Sequence, residues 1–142
     1  MEKNWIQWIL TLLEEYGRNF ITGTIVTLEI AILGTILGFL LGFALGIIRS
    51  TPISAEDTFA KRFFYRIFKG VSSAYVQIFR CTPMMVQAMV LFYGFSTLGM
   101  KIPPFTAAVL VTLLNTGAYM AESVRGGIAA IDPGQFEGGK AM

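Results

Sequence analysis

The sequence predicts an all-α integral membrane protein. Of its 142 residues, 54% are hydrophobic and only 14% are charged, and the mean hydropathy is +0.63. Residues 20–48 contain a single ionisable side chain, Glu29, over more than the roughly 20 residues that a helix needs to cross a hydrocarbon core. So apolar a chain cannot cover itself with a water-compatible surface, which argues against a soluble enzyme domain.

The residue types that usually carry catalysis or bind metals are scarce. The chain has no histidine and one cysteine, Cys81, so it lacks the commonest proton shuttle and any internal disulfide or multi-cysteine metal site. Gly134, Gly139 and Lys140 match the spacing of a phosphate-binding loop. The next residue, however, is Ala141 rather than the Ser or Thr that would hold magnesium. We therefore expect no catalytic, cofactor or metal site, and an external source of energy.

The first element, residues 1–19, is amphipathic. Its apolar side chains recur at three- and four-residue spacing, as in a helix with one apolar face: Trp5, Trp8, Ile9, Leu12, Leu13 and Tyr16. Tryptophan suits the headgroup boundary, because its ring is apolar and its N–H is polar. The pattern predicts an interfacial helix that lies on the bilayer.

Three membrane spans are predicted to follow, over residues 20–48, 83–99 and 104–121. The second span begins where Thr82 is placed to cap the first free amides and Pro83 occupies the first helical position without loss of a hydrogen bond. Together with the segments that connect and follow them, residues 49–82 and 122–142, these spans form a predicted transmembrane domain over residues 20–142.

The basic residues orient these spans. Segments 49–82 and 122–142 hold eight of the 11 Lys and Arg residues, and basic residues near span ends favour the cytoplasmic side. Both segments are therefore predicted to be cytoplasmic, with the amino terminus outside. The three basic residues left outside are Lys3, Arg18 and Lys101.

A second amphipathic stretch lies in segment 49–82. One side of this predicted helix is apolar, and Lys and Arg lie mostly elsewhere; the apolar side consists of Phe59, Phe63, Phe64, Ile67, Phe68 and Val71. We expect it to rest on anionic lipid headgroups. The same residue types also occur in nucleic-acid-binding proteins, but the flanking spans favour lipid, and no nucleic-acid partner is expected.

Four glycines at every fourth position form a ridge on the first span. Gly34, Gly38, Gly42 and Gly46 would let another helix backbone approach closely, and we interpret them as a packing surface. Because an α-helix rotates by about 100 degrees per residue, Glu29 lies on the side of the first span that faces away from this ridge. Two roles stay open for Glu29: a place on the substrate pathway, or a carboxylate that reaches the outer interface.

Polar side chains in the second and third spans are candidates for a substrate pathway. Asn115, Tyr119 and Glu122 follow an i, i+4, i+7 course on the third span, and Gln87 adds an amide to the second. The alternative is structural. Asn115 would then hydrogen-bond to a neighbouring helix, and Glu122 would pair with Arg125.

Two separated motifs carry a resemblance to a known family. Residues 79–87, FRCTPMMVQ, and residues 115–128, NTGAYMAESVRGGI, resemble the permease subunits of polar amino-acid ABC importers. The ending, residues 132–142, is similar to the start of that family's EAA loop, a short cytoplasmic helix that docks into the ATPase subunit.

The resemblance implies a partial type I ABC importer transmembrane domain in a bacterial cytoplasmic membrane, which translocates a polar amino acid without being an enzyme itself. It implies three protein partners: an ABC ATPase subunit, a second permease copy or a homologous permease, and an external amino-acid-binding protein. The residues implied to couple to the ATPase are Gly134, Gln135, Phe136, Glu137, Gly138, Gly139, Lys140 and Ala141. Glu137 is the first choice for a docking contact.

The sequence also departs from the family pattern. Family members usually have glycine where Cys81 stands, and two alanines where Gly138 and Gly139 stand, so the docking helix is expected to be less rigid here. The chain ends at Met142, inside the EAA motif, which implies a truncated permease with further spans beyond. A different class, a small membrane scaffold that assembles through its glycine ridge and transports nothing, is the alternative function.

Overall fold

A computed structural model describes residues 4–52 and 58–142, apart from the side chains of Pro133 and Phe136; residues 1–3 and 53–57 lie outside it. The described residues form five α-helices, and the predicted all-α class is confirmed. In chain order the helices are α1 (Trp5–Ser50), α2 (Phe59–Cys81), α3 (Met84–Thr97), α4 (Pro104–Ala129) and α5 (Pro133–Ala141). Both α1 and α4 are long and apolar enough to cross a membrane alone.

Helix α1 is one continuous element of 46 residues. It begins at a capping box, in which the Asn4 side chain accepts a hydrogen bond from the Trp5 amide and Gln7 Oε1 accepts one from the Asn4 amide at 3.1 Å. The structure has no break near residue 20, so the expected surface helix and first span are joined. No proline interrupts the segment, and continuing the helix keeps every backbone group hydrogen-bonded.

Helices α1 and α4 pack side by side and run in the same direction. The buried residues of α1 are the four ridge glycines, and moving along the ridge from Gly34 to Gly46 moves along α4 from Thr112 to Val124. The buried residues of α4 are also small: Ala107, Val111, Gly117, Ala118 and Ala121. Small residues on both helices let the two backbones come close, which is the usual basis of helix association in lipid.

Helix α2 runs antiparallel to α1, and its second half packs against α4. Near its start, Tyr65 Oη donates hydrogen bonds to the carbonyl oxygens of Ile48 at 2.8 Å and Thr51 at 2.6 Å. Further along, Tyr75 Oη donates to the carbonyl oxygen of Leu114 at 2.6 Å. The second half of segment 49–82, which we expected to be cytoplasmic throughout, packs against the middle of α4; the side of the membrane on which this segment lies stays a prediction.

Helix α3 does not form the independent second span expected over 83–99. It has 14 residues and is about 21 Å long, too short for a hydrocarbon core of about 30 Å. It meets α2 at 111°, and the two helices qualify only together as one broken span, because α2, with 23 residues, is long enough but does not qualify alone by composition. Pro83 disfavours helical backbone at Thr82, which is extended (φ −109°, ψ 139°) and ends α2.

The caps on either side of α3 also differ from expectation. Thr82 does not cap α3, because its Oγ1 donates back to the carbonyl oxygen of Ile78 at 2.7 Å, and Pro83 is the N-cap residue. At the other end, Gly99 adopts φ +79°, and the Met100 amide donates to the carbonyl oxygen of Phe95 at 3.0 Å. This is a Schellman ending, in which glycine takes the left-handed position at little cost.

Helix α4 extends beyond the predicted third span and leads directly to α5. It ends at Ala129 rather than near residue 121. After three intervening residues α5 begins, and Asp132 Oδ1 accepts a hydrogen bond from the Gly134 amide at 2.7 Å. This N-cap fixes the start of the short helix implied by the resemblance.

Candidate functional site

The break between α2 and α3 is held by two amide side chains. Gln87 Nε2 donates to the carbonyl oxygens of Phe79 and Thr82, both at 2.9 Å, and lies 2.8 Å from Thr82 Oγ1. Asn115 Nδ2 reaches across from α4 to Gln87 Oε1 at 3.3 Å and to the Phe79 carbonyl oxygen at 3.4 Å. Carbonyl groups at a helix end lack partners within the helix, and in lipid each must find one.

Gln87 and Asn115 thus meet at one place, although they lie on different helices. Their side-chain amides donate hydrogen bonds to backbone carbonyl oxygens that have no partner within α2 because the chain bends by 111° there. Asn115 makes the inter-helix hydrogen bonds that the structural alternative describes. A direct contact between these amides and a solute stays a prediction.

Tyr119 and Glu122, the other two candidates on α4, line a cavity of about 800 Å³. The cavity lies between the carboxyl-terminal end of α1, the second half of α2 and the second half of α4. Among the residues that the structure describes, four basic side chains and one acidic side chain, Glu122, line it; the basic ones are Arg49, Lys69, Arg80 and Arg125. The charged groups of three helices therefore converge on one site, which we call the basic cavity.

Glu122 is the centre of the charge network in the basic cavity. Its Oε1 accepts a hydrogen bond from Arg125 Nε at 3.0 Å, and its Oε2 lies 3.7 Å from Arg49 Nη1. The pairing of Glu122 with Arg125, one turn apart on α4, is the one described in the structural alternative. The Arg80 guanidinium of α2 lies over the Tyr119 ring of α4, 5.5 Å from its centroid, in a cation–π contact.

The remaining candidate residues lie apart from the basic cavity. Glu29 is exposed on α1, and the ridge glycines are buried against α4. The described side chains of α5 are exposed, and a Cβ added at Gly138 or Gly139 would meet nothing within 4 Å. The side chain of Phe136 lies outside the described part of the chain. The five pathway candidates therefore divide among the break, the cavity and the outer face of α1.

Sequence reasoning used Arg49 and Arg80 only to orient the spans and did not include them in a site. A usable signal was present for Arg49. It follows Gly46 by three residues, almost one helical turn, so it lies near the face that the ridge turns towards α4. For Arg80 the sequence offered no comparable signal, since its position depends on how α2 packs against α4.

Comparisons with known proteins agree on one family. The sequence model of the family described as "Binding-protein-dependent transport system inner membrane component" matches residues 53–142. A "Putative glutamine transport system permease protein GlnP" from Rickettsia conorii is 32% identical over 134 residues, which are 92% of this chain and 56% of that protein. An "Arginine transport system permease protein ArtQ" from Bacillus subtilis is 40% identical over 79 residues, or 55% of this chain and 36% of that one.

A solved structure is similar as well. The structure described as "Crystal structure of an amino acid ABC transporter with histidines" superposes with a TM-score of 0.77 at 32% identity, and covers 99% of this chain. This chain covers 58% of that one. The chain thus spans roughly one third to somewhat over half of the length of the proteins described above.

Proposed function

Because this chain belongs to the family of binding-protein-dependent transport system inner membrane components, we propose that it is part of the permease of an ATP-driven importer for a polar amino acid. The resemblance inferred from the two motifs is confirmed by the relatives and by the solved structure. In this proposal the chain conducts the solute, and a separate ABC ATPase subunit hydrolyses ATP. An external binding protein delivers the solute, and a second permease, identical or homologous, completes the pathway.

The observation that carries the proposal is the continuity of α4 with α5. Tyr119 and Glu122 line the basic cavity, and only three residues lie between the end of the same helix and the start of α5. Closure of the ATPase on α5 would therefore displace α4 and change the cavity. The binding of ATP drives such a change only if the two conformations bind it with unequal affinity.

The parallel course of α1 and α4 supports the proposed orientation. Parallel helices end on the same side of the membrane, so Arg49 and Arg125, near their carboxyl-terminal ends, lie at one membrane face. Basic residues favour the cytoplasmic face. We therefore place the amino terminus outside, and α5 inside the cell where an ATPase can reach it.

Docking is tested with the full-length permease co-expressed with its ATPase. A cysteine at Glu137→Cys is expected to crosslink to the ATPase, and a matched cysteine at Met100→Cys, exposed in the turn before α4, is not. A crosslink only from the Met100 position would overturn the proposed docking. So would labelling of cysteines at Gln135 and Lys140 by an impermeant reagent added outside intact cells.

Transport is tested separately by uptake. A complex of the full-length permease, the ATPase and the binding protein is expected to restore ATP-dependent uptake of a polar amino acid to a deficient cell. If the assembled complex forms and recruits its partners but moves no amino acid, the permease proposal fails and the scaffold alternative is favoured.

A further inference from the structure

The basic cavity carries a strong imbalance of charge. Four cationic side chains line it, and Glu122 is the only acidic residue among the described residues of its wall. Glu122 is already engaged, because it accepts hydrogen bonds from Arg125. Partial removal from water strengthens the repulsion among the remaining cations, so the cavity favours a negatively charged occupant and disfavours a cationic one.

Arg49 supplies an independent observation. Its side chain is only 8% exposed, and its Nε and Nη1 atoms are buried without a hydrogen-bond partner in the described part of the chain. Glu122 does not satisfy them, since the distance of 3.7 Å from its Oε2 to Arg49 Nη1 is too long for a hydrogen bond. A buried guanidinium with unused donors is costly unless an acceptor completes it.

We propose that the basic cavity is an oxyanion-binding site in which Arg49 is the buried anchor and Arg80 and Lys69 complete the cationic wall. The guanidinium presents parallel N–H donors that match two oxygens of a carboxylate or phosphate group. A volume of about 800 Å³ admits a free amino acid or a lipid headgroup. The shared chemistry is the oxyanion, and its source is either a carboxylate-bearing solute or an anionic phospholipid.

The inference rests on the proposed function only for the claim that a transported solute reaches the cavity. Its main consequence concerns selectivity. A carboxylate on the solute would be held at Arg49, whereas a side chain with an extra positive charge would face the cationic wall. The cavity therefore favours neutral or acidic solutes over cationic ones.

Cys81 provides a reporter, because it lines the basic cavity, is exposed and is the single cysteine of the 142 residues. The full-length permease with its ATPase is placed in phosphatidylcholine nanodiscs, and alkylation of the Cys81 peptide by a maleimide is followed by mass spectrometry. Inorganic phosphate and glutamate are each titrated against chloride at equal ionic strength. In a second arm, no anion is added and phosphatidylglycerol replaces part of the phosphatidylcholine.

We expect at least one oxyanion source to slow the alkylation of Cys81 saturably, and the arm that does so identifies the source. Arg49→Gln should weaken half-saturation about tenfold or more, as loss of a charge-assisted hydrogen bond does. Glu122→Gln should act in the opposite direction and tighten binding, because it removes the one negative charge that the described residues bring to the wall. Arg66→Gln is the matched control: it removes a guanidinium from α2 that does not line the cavity.

Two results would overturn the proposal. One is alkylation that phosphate, glutamate and phosphatidylglycerol slow no more than chloride does, which would mean that water satisfies Arg49. The other is protection that survives Arg49→Gln. If that variant does not fold, the sign of the Glu122→Gln effect decides. Uptake is measured with the same purified complex reconstituted, with its binding protein, into closed phosphatidylcholine vesicles, so protection of Cys81 without uptake upholds the oxyanion site while the transport proposal fails.

Discussion

The α1–α4 pair and the α2–α3 bend are stabilised in opposite ways. Helices α1 and α4 pack closely because the ridge glycines of α1 have no side chains, so that backbone and side-chain atoms of α4 contact the α1 backbone directly. At the α2–α3 bend the contact comes from side chains that are present, because Gln87 and Asn115 supply donors to open carbonyl groups. The first interface should therefore be sensitive to added atoms, and the second to lost hydrogen bonds.

The largest effect is expected from adding volume to the ridge. A Cβ at Gly42 would overlap the carbonyl oxygen of Gly117 and lie 2.6 Å from Met120 Cβ and 2.9 Å from the Ala121 amide nitrogen. Backbone atoms cannot move aside cheaply. We expect Gly42→Leu to lower the free energy of unfolding by about 3 kcal/mol or more, measured by thermal denaturation of the full-length permease in detergent.

The control for this change is Gly23→Ala in the same helix, where an added Cβ meets nothing within 4 Å. Alanine is the better helix former by up to about 1 kcal/mol, so this variant should be neutral or slightly stabilising. Equal destabilisation by the two changes would contradict the claim that close approach to α4 is what the ridge provides.

The second effect sharpens the other side of the comparison. Gln87→Met keeps the size of the side chain but removes the donors to Phe79 and Thr82. We expect a loss of about 2 kcal/mol, because two carbonyl groups at the broken end of α2 lose their partners. Met85→Ala, which shortens an exposed side chain of α3, serves as the control in the same denaturation assay. A Gln87→Met variant as stable as the parent would show that the bend does not need this amide.

A smaller effect is expected where α2 joins α4 through one hydroxyl group. Tyr75→Phe removes only the hydrogen bond from Oη to the carbonyl oxygen of Leu114, and leaves the aromatic ring in place against Phe79. The expected loss is about 1 kcal/mol. Tyr93→Phe, on an exposed ring of α3, is the matched hydroxyl deletion and should change little. The difference between the two variants measures the contribution of the inter-helix hydrogen bond.

The smallest effect is expected on the exposed side of α1. Glu29 points away from both interfaces, so Glu29→Gln should change the free energy of unfolding by less than about 0.5 kcal/mol. Uptake by the full-length permease then separates the two roles left open for this residue. Unchanged uptake favours a carboxylate that reaches the interface, and a large loss of uptake favours the pathway.

The two regions also differ in how far the sequence predicts them. The ridge could be predicted because a period of four in a helix places glycines on one face whatever the rest of the chain does. The bend could not, because it depends on Gln87 meeting Asn115, 28 residues away, and on Thr82 bonding back into α2 instead of capping α3. The basic cavity was missed for the same reason: Arg49 and Glu122 meet only after α1 and α4 have packed.

Local patterns also concealed the continuity of α1. An amphipathic stretch followed by a uniformly apolar one suggested two elements, yet both patterns are compatible with one unbroken helix. Conversely, the apolar run after Pro83 suggested a complete span, although length alone did not reveal that the chain turns by 111° at its start. Composition thus predicts which segments avoid water better than it predicts where a helix changes direction.

The ridge restricts how α4 can slide along α1. Gly34 and Gly46 receive Thr112 and Val124, and successive glycines are four residues, or about 6 Å, apart. A shift of half that distance would push these side chains into the bulkier positions between glycines. Helix α4 can therefore slide along α1 only by whole multiples of this spacing. A displacement of α5 that is smaller than one spacing would move α1 and α4 together as one rigid unit.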